Sequence, residues 1–219
     1  MNIYTSETFD DRYQVRWIEG KLGKPFVKQY HYSKGISIGA RCYGLFFNGE
    51  LVGVCAFNTP CSENVRASVL GKEYKSHITE LHRLVLLDEV PKNAESFFIS
   101  RALKLLKKDK PYYWAVLSFA DGSCGHLGII YQATNAIYSG MTKGRATFYL
   151  DQDGRLRHPR QNGVNILLSM AKERGWVPVK REGKHRYLFL LPDDKRHRRF
   201  LETNLKLKRL NYPKSCCSS

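Results

Sequence analysis

Two strand–loop–helix units follow one another between Glu80 and Gly140, and this succession restricts the chain to a sheet with parallel neighbours. Residues 80–87 (ELHRLVLL) form a short, mostly apolar run with a valine among leucines, which predicts a buried strand. The polar stretch 88–93 breaks the pattern. From Ala94 the spacing predicts a helix, with Phe98, Ala102 and Leu105 on one line and Ile99, Leu103 and Leu106 beside it. Asn93 is the expected N-cap, and Lys104, Lys107 and Lys108 suit the negative helix end. The second unit repeats the plan: a strand over 114–119, a turn-rich loop over 120–125 and a helix over 126–138, stopped at Gly140. Such loops open on one edge of the sheet, where ligands of α/β proteins gather. Helix starts beside them can hold phosphate through unpaired N–H groups.

The rest of the chain completes a mixed α/β fold. Asn48-Gly49 between apolar runs 43–47 and 51–57 predicts a hairpin. Residues 17–32 become helical in their later part and stop at Gly35, which puts His31 near a helix C-terminus. Residues 58–78 show no period. After Gly140, a strand over 145–150 leads into a basic loop over 151–161. A helix over 164–174 stops at Gly175, and runs 176–180 and 186–191 read as a final hairpin. One domain over 1–195 and a basic tail over 196–219 are expected.

A formal charge of +16 and a pI near 9.7 call for a polyanionic partner. Between Lys180 and Arg209, eleven Lys or Arg meet four acids, an excess of seven, and loop 151–161 adds Arg155, Arg157, His158 and Arg160. Any single lysine here could simply face water. A segment this dense points to nucleic-acid phosphates, with Arg155, Arg157, Arg160, Lys184, Arg186, Arg196, Arg198 and Arg199 as the expected contacts. No apolar run approaches the ~20 residues of a spanning helix, so no membrane partner is expected. The six cysteines (42, 55, 61, 124, 216 and 217) lack zinc spacing and fit a reduced cytoplasmic setting. No metal is expected.

Several side chains carry candidate chemistry. Asp121 closes the strand over 114–119 and could act as a general base or orient a histidine, although Asp-Gly is also turn chemistry. Ser118 could bind substrate or, with a base in reach, act as a nucleophile. His31 could be a base, a ligand or a capping cation. His82, within a strand, and His126, opening a helix, suit structural roles. Tyr131 and Tyr138 lie seven residues apart, on one face of the expected helix.

The double unit is similar to the GCN5-related acetyltransferase core, whose first loop grips the coenzyme A pyrophosphate. In detail the chain resembles the Mom family of phage DNA-modification proteins. The resemblance is carried by His31-Tyr-Ser-Lys-Gly35, Leu81-His-Arg-Leu84, Pro91-Lys-Asn93-Ala-Glu-Ser96-Phe and Leu117-Ser-Phe-Ala-Asp121. Gly125-His-Leu-Gly128-Ile-Ile-Tyr131-Gln-Ala and Lys184-His-Arg-Tyr187 complete it, over roughly residues 15 to 191. The first loop reads Val-Pro-Lys-Asn-Ala where acetyltransferases carry closely spaced glycines. The stretch Asn135-Ala-Ile-Tyr138-Ser-Gly140 resembles the end of the acetyltransferase helix, where a tyrosine protonates the departing thiolate.

The resemblance implies an enzyme of infected or lysogenic bacteria that modifies the N6 amine of adenine in double-stranded DNA. Its product is a carbamoylmethyl adenine that protects phage DNA from restriction. The target base is engaged in pairing, so it must be flipped out. The donor implied is acetyl coenzyme A or another acyl or glycyl compound, held by Lys92, Asn93, Ala94, Ser96 and Asn135, with His31, Ser118, Asp121, Tyr131 and Tyr138 at the reacting centre. An N-acetyltransferase of RNA or protein, or a non-catalytic nucleic-acid binder, would use the same fold and charge.

Overall fold

The computed structural model describes residues 9–31, 34–60, 62–122, 125–144, 147–157, 159–161 and 164–214. The chain enters the main sheet as β1 (Tyr13–Ile18), crosses one face as α1 (Gly20–Tyr30) and returns as β2 (Arg41–Phe47) and β3 (Glu50–Asn58). Helix α2 (Glu63–Leu70) and a 3-10 turn (Lys75–His77) lead to β4 (Ile78–Leu86), α3 (Ala94–Asp109) and β5 (Ala115–Asp121). A short α4 (Ile129–Gln132) and β6 (Ile137–Met141) follow. Next come β7 (Thr147–Leu150), β8 (Leu156–Arg157), β9 (Arg160–Gln161), β10 (Val164–Asn165), α5 (Leu168–Glu173) and β11 (Val177–Lys180). The chain re-enters the main sheet as β12 (Lys184–Leu190) and closes on α6 (Lys195–Asn204).

The main sheet runs β1-β2-β3-β4-β5-β12-β6. Only β4 and β5 are parallel; every other neighbour is antiparallel. The β2–β3 hairpin turns through Asn48 and Gly49, both with positive φ, as a type I′ turn requires. Side chains alternate between two faces. On one face, Phe98, Ile99, Ala102 and Leu106 of α3 cover Tyr43, Leu45, Val116 and Tyr187. On the other, Phe26 and Val27 of α1 pack on Cys42, Phe46, Val54 and Val85. That same face holds Leu70 of α2 and Leu201 of α6 against Ile78, Leu117 and Leu188. Each large apolar side chain so buried contributes roughly 1.5–3 kcal/mol.

The helix expected over 126–138 is not formed. Gly128 (φ 71°) and Asn135 (φ 57°) take left-handed backbone on either side of α4, which confines it to one turn. Ile137 and Tyr138 then pair with Leu188 and Tyr187 of β12. The sheet edge overrides the helical spacing. Tyr131 and Tyr138 therefore share no helix, and Gly140 is a strand residue.

The final hairpin is also not formed. Strand β11 pairs with β7 in a separate sheet ordered β11-β7-β8, while β12 inserts between β5 and β6. Residues 142–183 are thus an insertion between two neighbouring strands, with a small core of Tyr149, Ile166 and Ala171. Its two ends touch. Thr142 N–H donates to the Lys184 carbonyl (2.9 Å), Lys184 N–H donates to Thr142 Oγ1 (2.9 Å), and a side chain at Gly183 would run into the Thr142 carbonyl.

Smaller differences follow from local capping and pairing. Residues 58–78 hold α2, whose cap Ser62 accepts from Val65 N–H (3.4 Å). Strand β1 precedes α1, the expected helix over 164–174 shortens to α5 behind β10, and loop 151–161 contains β8 and β9. Asn93 is left-handed (φ 70°) and makes no side-chain cap; instead Ser96 Oγ donates to its carbonyl (2.9 Å). Residues from 196 on begin in the first turn of α6, whose Leu201 is fully buried. Cys42 and Cys55 are buried free thiols whose pKa burial pushes up. Tyr32, Ser33, Cys61, Cys124, His158, Cys216 and Cys217 lie outside the described residues. Among the described residues, no helix is long and apolar enough to cross a membrane.

Candidate active site

Strands β4 and β5 pair over only four residues, from Ile78 with Ala115 to Leu81 with Ser118. Beyond that point β4 stays with β3 as far as Leu86, and β5 stays with β12 as far as Asp121. The two parallel strands part, and a cleft of about 740 Å³ opens between them. Ser118 marks the fork: it is fully buried, and its Oγ donates to the Leu81 carbonyl (3.2 Å). Its hydroxyl ties the strands together and does not line the cleft.

One wall carries Glu80, His82 and Arg83 of β4, with Tyr30 and His31 from the end of α1. His82 is the extra residue of a bulge, since Ala56 pairs with Arg83 and Phe57 with Leu81. Its Nδ1 meets the Ala56 carbonyl (3.1 Å) and its Nε2 accepts from Ser37 N–H (3.4 Å), an arrangement only the neutral ring satisfies. Burial, then the charge of Arg83, lowers the pKa of both His31 and His82 to about 4. Burial raises that of Glu80, against the pull of Lys184 and Arg83.

The other wall carries Asp121 and Lys184, which face each other across β5 and β12, and Gly125 to Tyr131. The turn after Asp121 is set by Gly125 N–H to the Gly122 carbonyl (2.9 Å) and His126 N–H to the Asp121 carbonyl (3.3 Å). Asp121 is buried and accepts from Arg181 Nη2 (2.9 Å), while Arg181 lies over the Phe148 ring (4.8 Å). Gly128 has no room for a side chain beside the Tyr187 ring, whose hydroxyl binds the Leu127 carbonyl and accepts from Gln132 (3.1 Å).

Of the five expected catalytic residues, the fold brings His31, Asp121 and Tyr131 to the cleft. Tyr138 lies on β6 with its hydroxyl on His185 Nδ1 (2.9 Å), away from the cleft lining, and burial raises its pKa. Glu80, Arg83 and Lys184 join the site instead. Charged residues at 80 and 83 inside an otherwise apolar strand were the available signal, because such groups need an opening to face.

Asn93, Ser96 and Asn135 do meet, around a second cavity of about 460 Å³ with Phe9, Phe97 and Thr134. Lys92 is exposed and Ala94 is fully buried. At the start of α3, Ala94 N–H is taken by the Pro91 carbonyl (3.1 Å), and Glu95 places a carboxylate in the first turn.

The basic run from Lys180 to Arg209 divides in space. Lys180, Arg181 and Lys184 lie at the cleft end of β12, and Arg186 is drawn onto Ser139, its Nη2 3.1 Å from the Ser139 carbonyl. Arg196, Arg198 and Arg199 are exposed on α6, beyond the other end of β12, where His197 packs on Trp114 (ring centroids 5.0 Å). Seven strand residues between them span about 23 Å. Arg157 is paired with Asp151 (2.6 Å), Arg155 is exposed 3.7 Å from Asp153, and Arg160 lies in β9.

The cleft histidines make stability depend on pH. The unfolded chain protonates both near 6.5 and the native chain near 4, so their contribution is complete above 6.5 and is lost as pH falls towards 4. Denaturant unfolding at pH 7.5, 6, 5 and 4.5 should show stability falling through that window. His31→Asn and His82→Asn should each flatten the slope by up to one proton. An unchanged slope in both variants would mean that the imidazoles are not held neutral.

Comparison with known proteins adds sequence and fold relatives. A family model described as the Mom protein family matches residues 12–214. The methylcarbamoylase Mom of Escherichia phage Mu is 32% identical over 209 residues, spanning 92% of this chain and 83% of that protein. A point mutant of spermidine N-acetyltransferase from Vibrio cholerae superposes with a TM-score of 0.50 at 10% identity, over 88% of this chain and 98% of that one. A polyamine N-acetyltransferase from Drosophila melanogaster gives 0.48 at 10% identity, over 82% and 100%. The seven-stranded mixed sheet with helices on both faces is thus an acetyltransferase-like fold.

Proposed function

The chain belongs to the Mom protein family, and from that premise we propose that it modifies the N6 amine of adenine in DNA. The observation that carries this reading is the forked cleft. It offers neutral imidazoles and a buried carboxylate inside, with Lys184 and Arg83 on its walls. An uncharged base suits the interior, and the flanking phosphates suit the basic surface around it.

The adenine amine is delocalised into its ring and is a weak nucleophile, so a base helps only as positive charge develops on nitrogen. Asp121 is a buried carboxylate of the cleft, and Arg181 orients it through their 2.9 Å ion pair. His31 and His82 remain neutral at physiological pH, so neither repels that charge. The unit transferred is carbamoylmethyl. Its CH2 carbon bonds to N6 as the bond from that carbon to a leaving group breaks, the electron pair departs with the leaving group, and the amine proton passes to Asp121. Acetyl transfer would instead put a carbonyl carbon on N6 and bring no second nitrogen. No step is assigned to coenzyme A.

Nucleoside mass analysis of plasmid DNA from cells expressing the chain tests the reading. A carbamoylmethyl adenine absent from control cells is expected. Unmodified DNA beside acetylated RNA or protein would replace it with an N-acetyltransferase, and no modification at all would leave a nucleic-acid binder.

A further inference from the structure

Residues 35–40 form a loop beside the cleft that neither α1 nor the sheet absorbs. Two bonds hold it to cleft residues: Arg83 Nε donates to the Gly35 carbonyl (2.7 Å), and Ser37 N–H donates to His82 Nε2 (3.4 Å). Ile36 turns inward and packs with the α1 core. The next apolar residue does the opposite. Ala40 N–H closes a turn onto the Ser37 carbonyl (3.2 Å), with Gly39 left-handed (φ 77°) at its third position, as a type II turn requires. Ile38 occupies the corner of that turn and is 91% exposed, more than any other large apolar residue described. A Cβ added at Gly39 would meet nothing within 4 Å, so the tip stands clear of the fold.

Scattered exposed apolar residues are ordinary. This one sits at the corner of a turn braced against the residues that would receive the substrate base. We infer that Ile38 is a wedge that enters the duplex and fills the space left by the flipped adenine. The inference rests on the proposed action on DNA adenine. Apolar side chains that enter a base step replace the stacking that the displaced base gives up. A base turned out of a paired duplex leaves such a gap, and flipping costs least where the base has no partner. Bracing by His82 and Arg83 would couple insertion of the wedge on one side of the loop to occupation of the cleft on the other.

The test uses the full chain in extract of the expressing cells, which contains whatever donor the protein uses. Two oligonucleotide duplexes are compared by nucleoside mass analysis: one fully paired, the other with its adenines facing abasic sites. Ile38→Gly should lower modification of the paired duplex at least tenfold and that of the abasic duplex no more than twofold. Ile38→Phe, which restores an apolar wedge, should recover the paired duplex. Equal modification of the paired duplex by Ile38→Gly and the natural chain would overturn the wedge and leave the adenine reading intact. So would an equal loss on both duplexes, which would assign Ile38 to the cleft or the fold, or failure of the natural chain on the abasic duplex. Absence of modified adenine from the natural chain on every substrate would remove the functional reading, and the wedge with it.

Discussion

Asp121→Asn is expected to lower adenine modification at least about a hundredfold, the low end of what a positioned general base supplies. Shape and turn chemistry survive the change; the negative charge does not. The competing explanation is that Asp121 serves only to anchor Arg181, since the two are 2.9 Å apart and both are largely buried. Arg181→Gln separates the two. If anchoring were the whole role, both variants would lose the same activity. If the carboxylate takes the proton, Arg181→Gln weakens its positioning but leaves the carboxylate itself in the cleft. That variant should therefore retain clearly more modification than Asp121→Asn. Modified adenine in plasmid DNA is the readout, beside an unfolding curve for each variant. Wild-type modification by Asp121→Asn would remove this residue from the mechanism.

The second large effect concerns salt. Replacing Lys143, Lys180 and Lys184 together by Gln should flatten the dependence of log affinity on log salt by about 2.7, three lost phosphate contacts at ~0.9 each. All three are exposed: Lys184 opens β12 on the cleft wall, Lys143 lies two residues past the end of β6, and Lys180 ends β11 beside Arg181. The triple variant Arg196, Arg198 and Arg199→Gln should change the slope by less than about one, because a duplex with its base in the cleft has no need to reach α6. Fluorescence titrations of one duplex between 50 and 300 mM salt decide the matter. A larger change from the α6 variant would put the duplex along that helix and oblige the DNA to run the length of β12.

Much of this arrangement was legible because it is local. The hairpin at Asn48-Gly49, the strand–helix–strand run from β4 to β5 and the breaks between them all follow from turn residues and apolar period. The parallel pair pointed to the sheet edge at which the cleft opens, with Asp121 at the end of β5, whereas His31 and Tyr131 were suggested by the family resemblance. What failed depended on partners distant in sequence. Ile137 and Tyr138 look helical in isolation, and only β12, about fifty residues later, makes them a strand. Strand β11 looks like the partner of β12 until β7 claims it. Glu80 and Arg83 were hidden inside a run read as buried, and the basic segment seemed one patch because sequence does not show that a strand crosses the molecule in its middle. Strands of two residues, such as β8 to β10, leave too few positions for any period to register.

The touching ends of the insertion have a consequence for how such a protein can change. Strands β6 and β12 are antiparallel neighbours, and Thr142 and Lys184 already bond to each other at the end of their ladder. In topological terms the whole of residues 142–183 is one oversized hairpin loop. Excising it and joining the strands through Asn-Gly would leave an ordinary two-residue hairpin with the course of both strands unaltered. The same property lets a lineage lengthen, shrink or exchange the piece while the forked sheet beneath stays constant. The piece and the sheet stay linked at one point, because Arg181 of the insertion pairs with Asp121 at the end of β5.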